Sequence, residues 1–517
     1  MTSDSAPERR CPVSVHAGPA AAPPRRRPWF WRRIVDRESF GANRSDTGPA
    51  LIGQHRAGTA DALQAAGASQ RGDQCPPGIH VPKMLEFPCA ALAACAYFLL
   101  GERMVSALVT RYGPVVSLPL LGYGTLVIVS DAAHAKQVFT TSPHSMLGGE
   151  GVGPAAAICG TGSMFVQEEP DHLLRRKLLT PAFSGAALLD GYAEVMAAAA
   201  REALRGWPPG RPMKMLDFAR NLSLNIIVRV VAGPDAAMDN NVLRRLFGQL
   251  LELAVSEQIV VRYALRRAGA LRRWRRLTAA NQAIDGALYP LIARRRRSPA
   301  AAGGNDVLAA LLSAIDDSAA AVSDREIRDD LVTLMMAGHE TTAITLANII
   351  DLLVHHPRIL ARVTDEAHHG GDAYTSAVIN ETLRLRPPLP FTARVTAGDC
   401  DIGAYTIAAG CRVMVHINGV NHDPAIYPAP QLFQPERFLD RDPPPYAWIP
   451  FGGGVKRCLG ANFAHRELTV VLHELLRAGT FTSVRNRPDT VVRRSIVLVP
   501  RRGAAVTFRP ADPADTD

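Results

Sequence analysis

The chain has 517 residues, of which 47% are hydrophobic, and it carries a formal net charge of +10 at neutral pH. This composition supports a large buried core and excludes a chain that is disordered throughout. The net positive charge would permit a nucleic-acid partner. The sequence contains no zinc finger, helix-turn-helix or RNP pattern, so we expect no nucleic acid to bind.

The N-terminal segment, residues 1–74, is rich in Pro, Arg, Ala, Gly and Ser and lacks sustained periodicity. We therefore predict that it is a disordered tail, and we find no apolar core of a secretory signal in it. The apolar run over residues 87–100 is too short for a transmembrane helix, which needs roughly 20 residues. It predicts a buried first helix, with contact to a membrane surface as the alternative.

Hydrophobic patterns after residue 75 predict a mainly helical domain with a small β-rich part. The stretch 143–166 is Gly-rich and typical of a loop, and helical spacing then dominates as far as the Pro387-Pro388 step. Short strand-like runs follow that step. The patterns predict helices over residues 172–179, 191–204, 216–231, 277–292 and 461–476, and strands over residues 115–120, 125–129, 394–397, 405–407 and 413–417.

The longest predicted helix begins at a capping box, with Ser323 at the N-cap and Glu326 three residues later. Its periodicity continues to His356, and Pro357 cannot extend it. At 1.5 Å per residue such a helix is about 50 Å long, enough to cross a whole domain. We predict one domain over residues 75–508, followed by a C-terminal tail over residues 509–517.

One of the eight cysteines, Cys458, stands in a setting that the others lack. Three glycines, Gly452–Gly454, precede it and allow a tight turn and a close approach to a flat ligand. Cys458 also opens a predicted helix, whose N-terminal dipole favours a thiolate. Gly460 leaves room where a flat cofactor would press, and Phe451 can shield the sulfur from water.

The segment 451–460 resembles the haem-binding signature of the cytochrome P450 family, Phe-x-x-Gly-x-x-x-Cys-x-Gly, at each fixed position. The resemblance implies the single-domain fold of that family and a heme b whose iron is ligated by Cys458. The family usually has Arg or His two residues before the cysteine, where it pairs with a haem propionate. This chain has Lys456, a point charge without a bidentate fork. Lys456 would either contact a propionate or border the surface that docks the electron donor.

Two further motifs resemble the ionic triad of the family. Glu381 and Arg384 lie three residues apart on a predicted helix, so their charges share one face. Arg437 belongs to a later Pro-Glu-Arg-Phe segment. The resemblance implies that the three form a buried triad that fixes the cysteine loop, whereas an exposed pair would contribute little to stability.

Other positions match family contacts with the cofactor and the substrate. His172 and Arg176 fall on a predicted helix that resembles the one contacting the propionates. Arg394 resembles a third propionate contact. The resemblance also places apolar or small side chains against the substrate, at Leu389, Phe391 and Thr392.

The long predicted helix contains Ala337-Gly338-His339-Glu340-Thr341, which resembles the oxygen-activating block of the family. The resemblance implies that Ala337 and Gly338 allow close approach of haem. It also implies that Thr341 supplies a hydroxyl and Glu340 an acid for proton delivery. A threonine hydroxyl in mid-helix can compete for the i−4 carbonyl, which opens a groove there.

These resemblances imply a monooxygenase that activates O2 and inserts one oxygen atom into a small apolar organic substrate. No flavin domain is evident, so we expect a separate ferredoxin and ferredoxin reductase to supply electrons. The alternatives are a haem-thiolate peroxygenase or isomerase and a non-catalytic haem-binding sensor, and the Glu340-Thr341 pair argues against both. We expect a monomer in the cytoplasm, with peripheral membrane contact as the alternative.

Overall fold

Helices dominate the chain and short strands flank them. The computed structural model describes Pro76 and residues 101–120, 124–233, 240–254, 274–297, 306–318, 320–439 and 441–511. Its helices are α1 (Glu102–Tyr112), α2 (Ala132–Thr140), α3 (Gly148–Gly151), α4 (Ala156–Cys159), α5 (Asp171–Ser184), α6 (Ala186–Arg205), α7 (Met215–Ala232), α8 (Asn240–Ala254), α9 (Arg275–Arg297), α10 (Val307–Ser318), α11 (Asp324–Leu353), α12 (Pro357–His369), α13 (Ala373–Leu385), α14 (Ile417–Asn421) and α15 (Ala461–Arg477). Its strands are β1 (Val115–Leu120), β2 (Gly124–Val129), β3 (Met146–Leu147), β4 (Pro212–Lys214), β5 (Phe391–Thr396), β6 (Cys400–Ile402), β7 (Tyr405–Ile407), β8 (Arg412–His416), β9 (Gly479–Ser483), β10 (Val491–Arg494), β11 (Val497–Pro500) and β12 (Ala505–Pro510).

The long helix α11 has the ends that its sequence predicts. The Ser323 hydroxyl accepts a hydrogen bond from the Glu326 N–H, and the Glu326 carboxylate accepts one from the Ser323 N–H, which completes the capping box. The helix ends at Leu353, and Pro357 begins the next helix, where its missing N–H does not matter. The capping box is thus confirmed, and the end lies three residues before the predicted one.

The main hydrophobic core lies between α7, α11 and α15. Helix α7 is buried on most of its surface, because twelve of the seventeen positions from Leu216 to Ala232 are apolar or small. Each fully buried aliphatic side chain of this kind stabilises the fold by roughly 1.5–3 kcal/mol. Helix α11 is therefore enclosed along most of its length and fixed against its neighbours.

The largest sheet has five strands in the order β1-β2-β8-β5-β3. Strands β1 and β2 form the predicted antiparallel hairpin, in which Val115 pairs with Val129. Strand β8 pairs with β2 in parallel and with β5 antiparallel. This sheet places β5, and with it Arg394, beside the segment that carries the cysteine.

Three predicted boundaries need correction. The helix predicted over residues 172–179 continues through Pro181 to Ser184, because buried Ala182 and Phe183 offset the backbone hydrogen bond that proline removes. Residues 143–166 are not only a loop, since they contain β3, α3 and α4. Strand β12 continues to Pro510, which pairs with Gly479, so the domain extends past residue 508.

Two predicted segments cannot be compared with the structure. The predicted tail over residues 1–74 and the predicted helix over residues 87–100 lie outside the described residues. Among the residues that are described, no helix is both long and apolar enough to span a membrane.

Candidate active site

The cysteine loop, residues 451–460, is a tight turn that depends on its glycines. Gly452 and Gly454 have φ angles of 68° and 65°, a left-handed conformation that favours glycine. A Cβ atom on Gly453 would lie 2.4 Å from a phenyl ring of α2. The Cys458 N–H donates to the Phe451 carbonyl at 3.0 Å and closes the loop. The protein backbone and its packing therefore require glycine at all three positions.

The Cys458 thiol precedes α15 and is accessible to solvent. Protein atoms nevertheless surround it closely, and this burial raises the pKa of the thiol. The Gly460 N–H and the charges of Arg457 and Arg176 act in the opposite direction. A Cβ atom on Gly460 would meet no other atom within 4 Å, so the space beside the thiol is open. An accessible thiol beside an N–H donor and two cations suits a thiolate metal ligand.

Four basic side chains converge on this loop: His172, Arg176, Arg394 and Lys456. Burial lowers the pKa of Arg394 to about 10 and that of Lys456 to about 8, and their charges also repel each other. His172 is buried, and its Nδ1 lies 2.7 Å from Glu169 Oε1. Glu168 and Glu169 oppose these charges, so two arginines and a lysine face two carboxylates and an excess of positive charge remains. The two propionates of haem would neutralise that excess, so these residues fit the cofactor that the sequence implies.

Two of these cations also fix the backbone of the cysteine loop. Arg176 Nη1 donates to the Arg457 carbonyl at 2.7 Å. Arg394 Nη2 donates to the Gly453 carbonyl at 3.1 Å, and its guanidinium lies over a phenyl ring of α2. The loop is therefore attached to α5 on one side and to β5 on the other.

Lys456 has contacts that the sequence did not indicate. Its ammonium group donates to the Met164 carbonyl at 3.3 Å and also to the Gln167 carbonyl. Its stem passes so close to Gly148 that a Cβ atom there would lie 2.6 Å from Lys456 Cγ. Lys456 thus ties residues 164–167 to the cysteine loop. An ammonium group has three hydrogens, so one remains for a propionate.

The predicted ionic triad is assembled behind the loop. Arg384 donates to Glu381 through Nε at 2.6 Å and through Nη2 at 2.8 Å, and both side chains are fully buried. Arg437 Nε lies 3.6 Å from Glu381 Oε1. Arg437 is held more closely by the Pro428 carbonyl, at 2.6 Å from its Nη2. The structure therefore brings the three residues together, with Glu381 and Arg384 as the tight pair.

A chain of hydrogen bonds connects this pair to the cysteine loop. Arg384 Nη1 donates to the Asn421 carbonyl at 3.0 Å. The Asn421 side chain accepts from the Ile449 N–H at 3.1 Å, and the Ile449 carbonyl accepts from the Gly452 N–H at 2.9 Å. Movement of Arg384 would therefore reach the first glycine of the loop.

Helix α11 is accessible at one place in its middle. From Ile327 to Leu353 every residue is buried except Met336, Ala337, Gly338 and Thr341. The Thr341 hydroxyl donates to the Ala337 carbonyl at 2.8 Å. Ala337 and Thr341 are one helical turn apart, so both lie on the open side. This opening is where the sequence places the oxygen-activating block.

Glu340 is held by a residue that the sequence analysis missed. Arg220 of α7 donates to Glu340 Oε2 through Nε at 2.9 Å and to Oε1 through Nη2. Asp217, on the exposed side, lies 3.8 Å from Arg220. Burial lowers the pKa of the neighbouring His339 to about 4, so His339 is neutral at neutral pH. Only the charged Asp-x-x-Arg spacing on α7 could have indicated Arg220.

The small residues of the block have different surroundings. Ala337 is exposed to the opening, as predicted for a position that a cofactor approaches. A Cβ atom on Gly338 would instead lie 2.9 Å from Ile227 of α7. The missing side chain of Gly338 therefore serves helix packing, and these contacts give no support to a cofactor role for it.

The three predicted substrate contacts do not form one apolar wall. Leu389 packs against the main core. The Phe391 ring stacks on His416 with centroids 5.0 Å apart, and it packs against the sheet. The Thr392 hydroxyl accepts from Arg394 Nη1 at 3.3 Å, and these two residues share a face of β5. Phe391 faces the opposite side, because neighbouring strand residues alternate. Their contact with a substrate stays a prediction.

Comparisons with known proteins agree with this geometry. The sequence model of the family "Cytochrome P450" matches residues 100–508. Cytochrome P450 137 of Mycobacterium tuberculosis is 55% identical over 436 residues, which cover 84% of this chain and 91% of that protein. Cytochrome P450 138 of Mycobacterium bovis is 33% identical over 435 residues, 84% of this chain and 96% of that protein.

A solved structure shares the fold. A retinoic acid-bound cyanobacterial CYP120A1 superposes with a TM-score of 0.72 at 23% identity, covering 85% of this chain and all of that one. The mainly helical architecture with small sheets is the one predicted from the sequence. The chain therefore belongs to the cytochrome P450 family, and it is a haem-thiolate monooxygenase that uses O2, an organic substrate and a redox partner.

Proposed function

We propose that this enzyme inserts one oxygen atom of O2 into a small apolar organic substrate at a heme b ligated by Cys458. The observation that carries the proposal is the opening in α11 at Ala337 and Thr341. Between Ile327 and Leu353 this is the only accessible turn, and it carries the Thr341 hydroxyl.

The chain's own residues would hold the cofactor and guide protons. His172, Arg176 and Arg394 would pair with the propionates, and Cys458 would ligate the iron. When bound, haem supplies the O–O bond-breaking chemistry. Thr341 would hold a proton donor beside the site of oxygen activation. Its partner would be Glu340, in the same turn.

The Arg220 contact bears on how Glu340 would deliver a proton. A carboxylate that accepts two guanidinium hydrogen bonds from Arg220 is turned toward α7 and away from the helix opening. Glu340 would therefore have to leave Arg220, or pass a proton through water, each time it served Thr341. Arg220 is half-buried and reaches toward exposed Asp217, so this ion pair would link the site with the surface.

We further propose that a separate ferredoxin and its reductase supply the electrons, and that the enzyme acts as a monomer in the cytoplasm. The support for a separate donor is that these 517 residues contain no Gly-rich phosphate loop of a flavin domain. Reconstitution with a ferredoxin pair, with product formation as the readout, tests the donor. Turnover with peroxide alone, at the same rate, would favour a peroxygenase instead.

Replacing Thr341 by alanine should leave haem binding intact and divert oxygen to peroxide. The hydroxyl lies in the accessible turn, and a lost proton donor should lower product formed per O2 consumed by roughly tenfold or more. The measurement is product, peroxide and O2 in the same reaction.

Thr345 offers a matched control for that variant. Its hydroxyl makes the same bond to the carbonyl four residues earlier, at 2.8 Å, but its side chain is buried. Thr345→Ala should therefore keep the wild-type yield. An unchanged yield in Thr341→Ala as well would mean that Thr341 is structural.

Replacing Lys456 by methionine should speed haem loss by about tenfold, because it removes a charged donor from two carbonyls and keeps the stem. Lys456→Arg should stay near wild type, and Lys456→Glu should lose haem fastest. The measurement is haem transfer to a scavenger globin. Normal haem retention with a slowed, salt-sensitive first electron transfer would assign Lys456 to the donor-docking surface instead.

A further inference from the structure

A small cavity lies behind the accessible turn, where α7, α11 and α15 meet. Its volume is about 10 Å³, close to the space that one water molecule needs. Its polar lining consists of Ser223, Thr342 and Glu467, and the rest of the lining is aliphatic. The cavity is on the side of α11 that the proposed oxygen chemistry does not use.

Glu467 is buried in this cavity without a counter-ion. Its side chain is about 1% exposed, and its Oε2 has no hydrogen-bond partner in the described part of the chain. No charged side chain of α7, α11 or α15 other than its own lines the cavity. Burial raises the pKa of Glu467 to about 8. An ionised carboxylate without a partner would be costly in such a place.

The hydrogen-bond direction at Ser223 supplies an independent argument. A serine hydroxyl has one hydrogen, and Ser223 donates it to the Gly338 carbonyl at 3.3 Å. Ser223 and Glu467 line the same cavity. Toward Glu467 the Ser223 hydroxyl can therefore only accept, and the Glu467 carboxyl can bond to it only as a donor. A carboxyl group donates only when it is protonated.

We propose that Glu467 is a neutral carboxylic acid in the folded protein and positions the Gly338–Thr341 turn through Ser223. The chain of bonds runs from the Glu467 O–H to the Ser223 hydroxyl and on to the Gly338 carbonyl. One water in the cavity bonds to the free oxygen of Glu467. The positioning role rests on the proposed oxygen chemistry of Thr341, whereas the neutral state of Glu467 does not.

The neutral state is tested by infrared difference spectroscopy of the haem-loaded protein against Glu467→Gln. A protonated carboxyl C=O band should be present at pH 7 and should weaken as the pH rises through about 8. Ser223→Ala should shift this band, since its acceptor is lost. Glu474→Gln on the same helix is the control and should leave the band unchanged, because Glu474 pairs with Arg201 and Arg477. Absence of the band at pH 6 would overturn the proposal.

The positioning role is tested by rescue. Glu467→Gln keeps a donor to Ser223 and should retain the wild-type yield of product per O2, whereas Glu467→Leu should lower it several-fold. Both should show the same carbon monoxide spectrum and haem content. Equal yields in the two variants would refute the positioning role. If Thr341→Ala also left the yield unchanged, the proposed role of Thr341 in oxygen activation would be wrong. The infrared experiment would still decide whether Glu467 is protonated.

Discussion

Replacing Cys458 by alanine should abolish monooxygenase activity and the far-red-shifted Soret band of the reduced carbon monoxide complex. That band reports thiolate ligation, and Cys458 is the cysteine at the glycine-rich loop where basic side chains converge. Haem content should also fall sharply, because the iron loses its protein ligand. Absorbance of the reduced complex and haem per chain are the two measurements.

Cys400→Ala is the matched control for this experiment. Cys400 is partly accessible, but it lies on β6 and not in the cysteine loop, and burial raises the pKa of its thiol to about 11. Its variant should keep the shifted band, the haem content and the activity. A shifted band that survived in Cys458→Ala would mean that another group ligates the iron.

The parts of this fold that sequence predicts are those set by local interactions. The capping box of Ser323 and Glu326 involves neighbours three residues apart, and strand β7 is the predicted run Tyr405–Ile407. The pairing of Glu381 with Arg384 also follows from helical spacing. Each of these depends on a few adjacent dihedral angles, which side-chain patterns indicate directly.

Contacts between segments that are far apart in the sequence could not be predicted in this way. Arg220 meets Glu340 across 120 positions, and Lys456 reaches the Gln167 carbonyl across 289. Gly338 fits a family motif for the cofactor, yet its missing side chain faces Ile227. Such contacts depend on how α7, α11 and the cysteine loop pack, and no local pattern encodes that packing. The site residues were therefore easier to predict than the partners that hold them.

The Glu381–Arg384 pair behind the cysteine loop should affect the stability of the protein and have no direct part in catalysis. Neither Glu381 nor Arg384 is accessible to a substrate, since both side chains are fully buried. Their connection to the loop runs through the backbone and side chain of Asn421 and the backbone of Ile449, none of which the family motifs place against a substrate. A change at this pair should therefore alter folding and haem loading and leave substrate preference unchanged.

Replacing Glu381 by alanine should lower the free energy of unfolding by about 3–5 kcal/mol, because it leaves the buried Arg384 charge without its carboxylate. The Gln434 N–H would also lose its acceptor, now 2.9 Å from Glu381 Oε1. Haem content should fall with stability, since Arg384 positions Asn421 and hence the first glycine of the loop. The measurement is denaturant unfolding followed by circular dichroism, with haem per chain from absorbance.

Glu194→Ala is the control, since it removes a carboxylate from an ion pair of similar distance, 2.7 Å to Arg201, at an exposed site. Exposed pairs contribute little, so its unfolding free energy should change by less than about 1 kcal/mol. If Glu381→Ala does not fold, Glu381→Gln keeps the shape and one acceptor oxygen and should give a smaller loss in the same direction. Glu381 variants that were as stable and as fully loaded as Glu194→Ala would show that the buried pair does not fix the cysteine loop, since burial is what distinguishes the two sites.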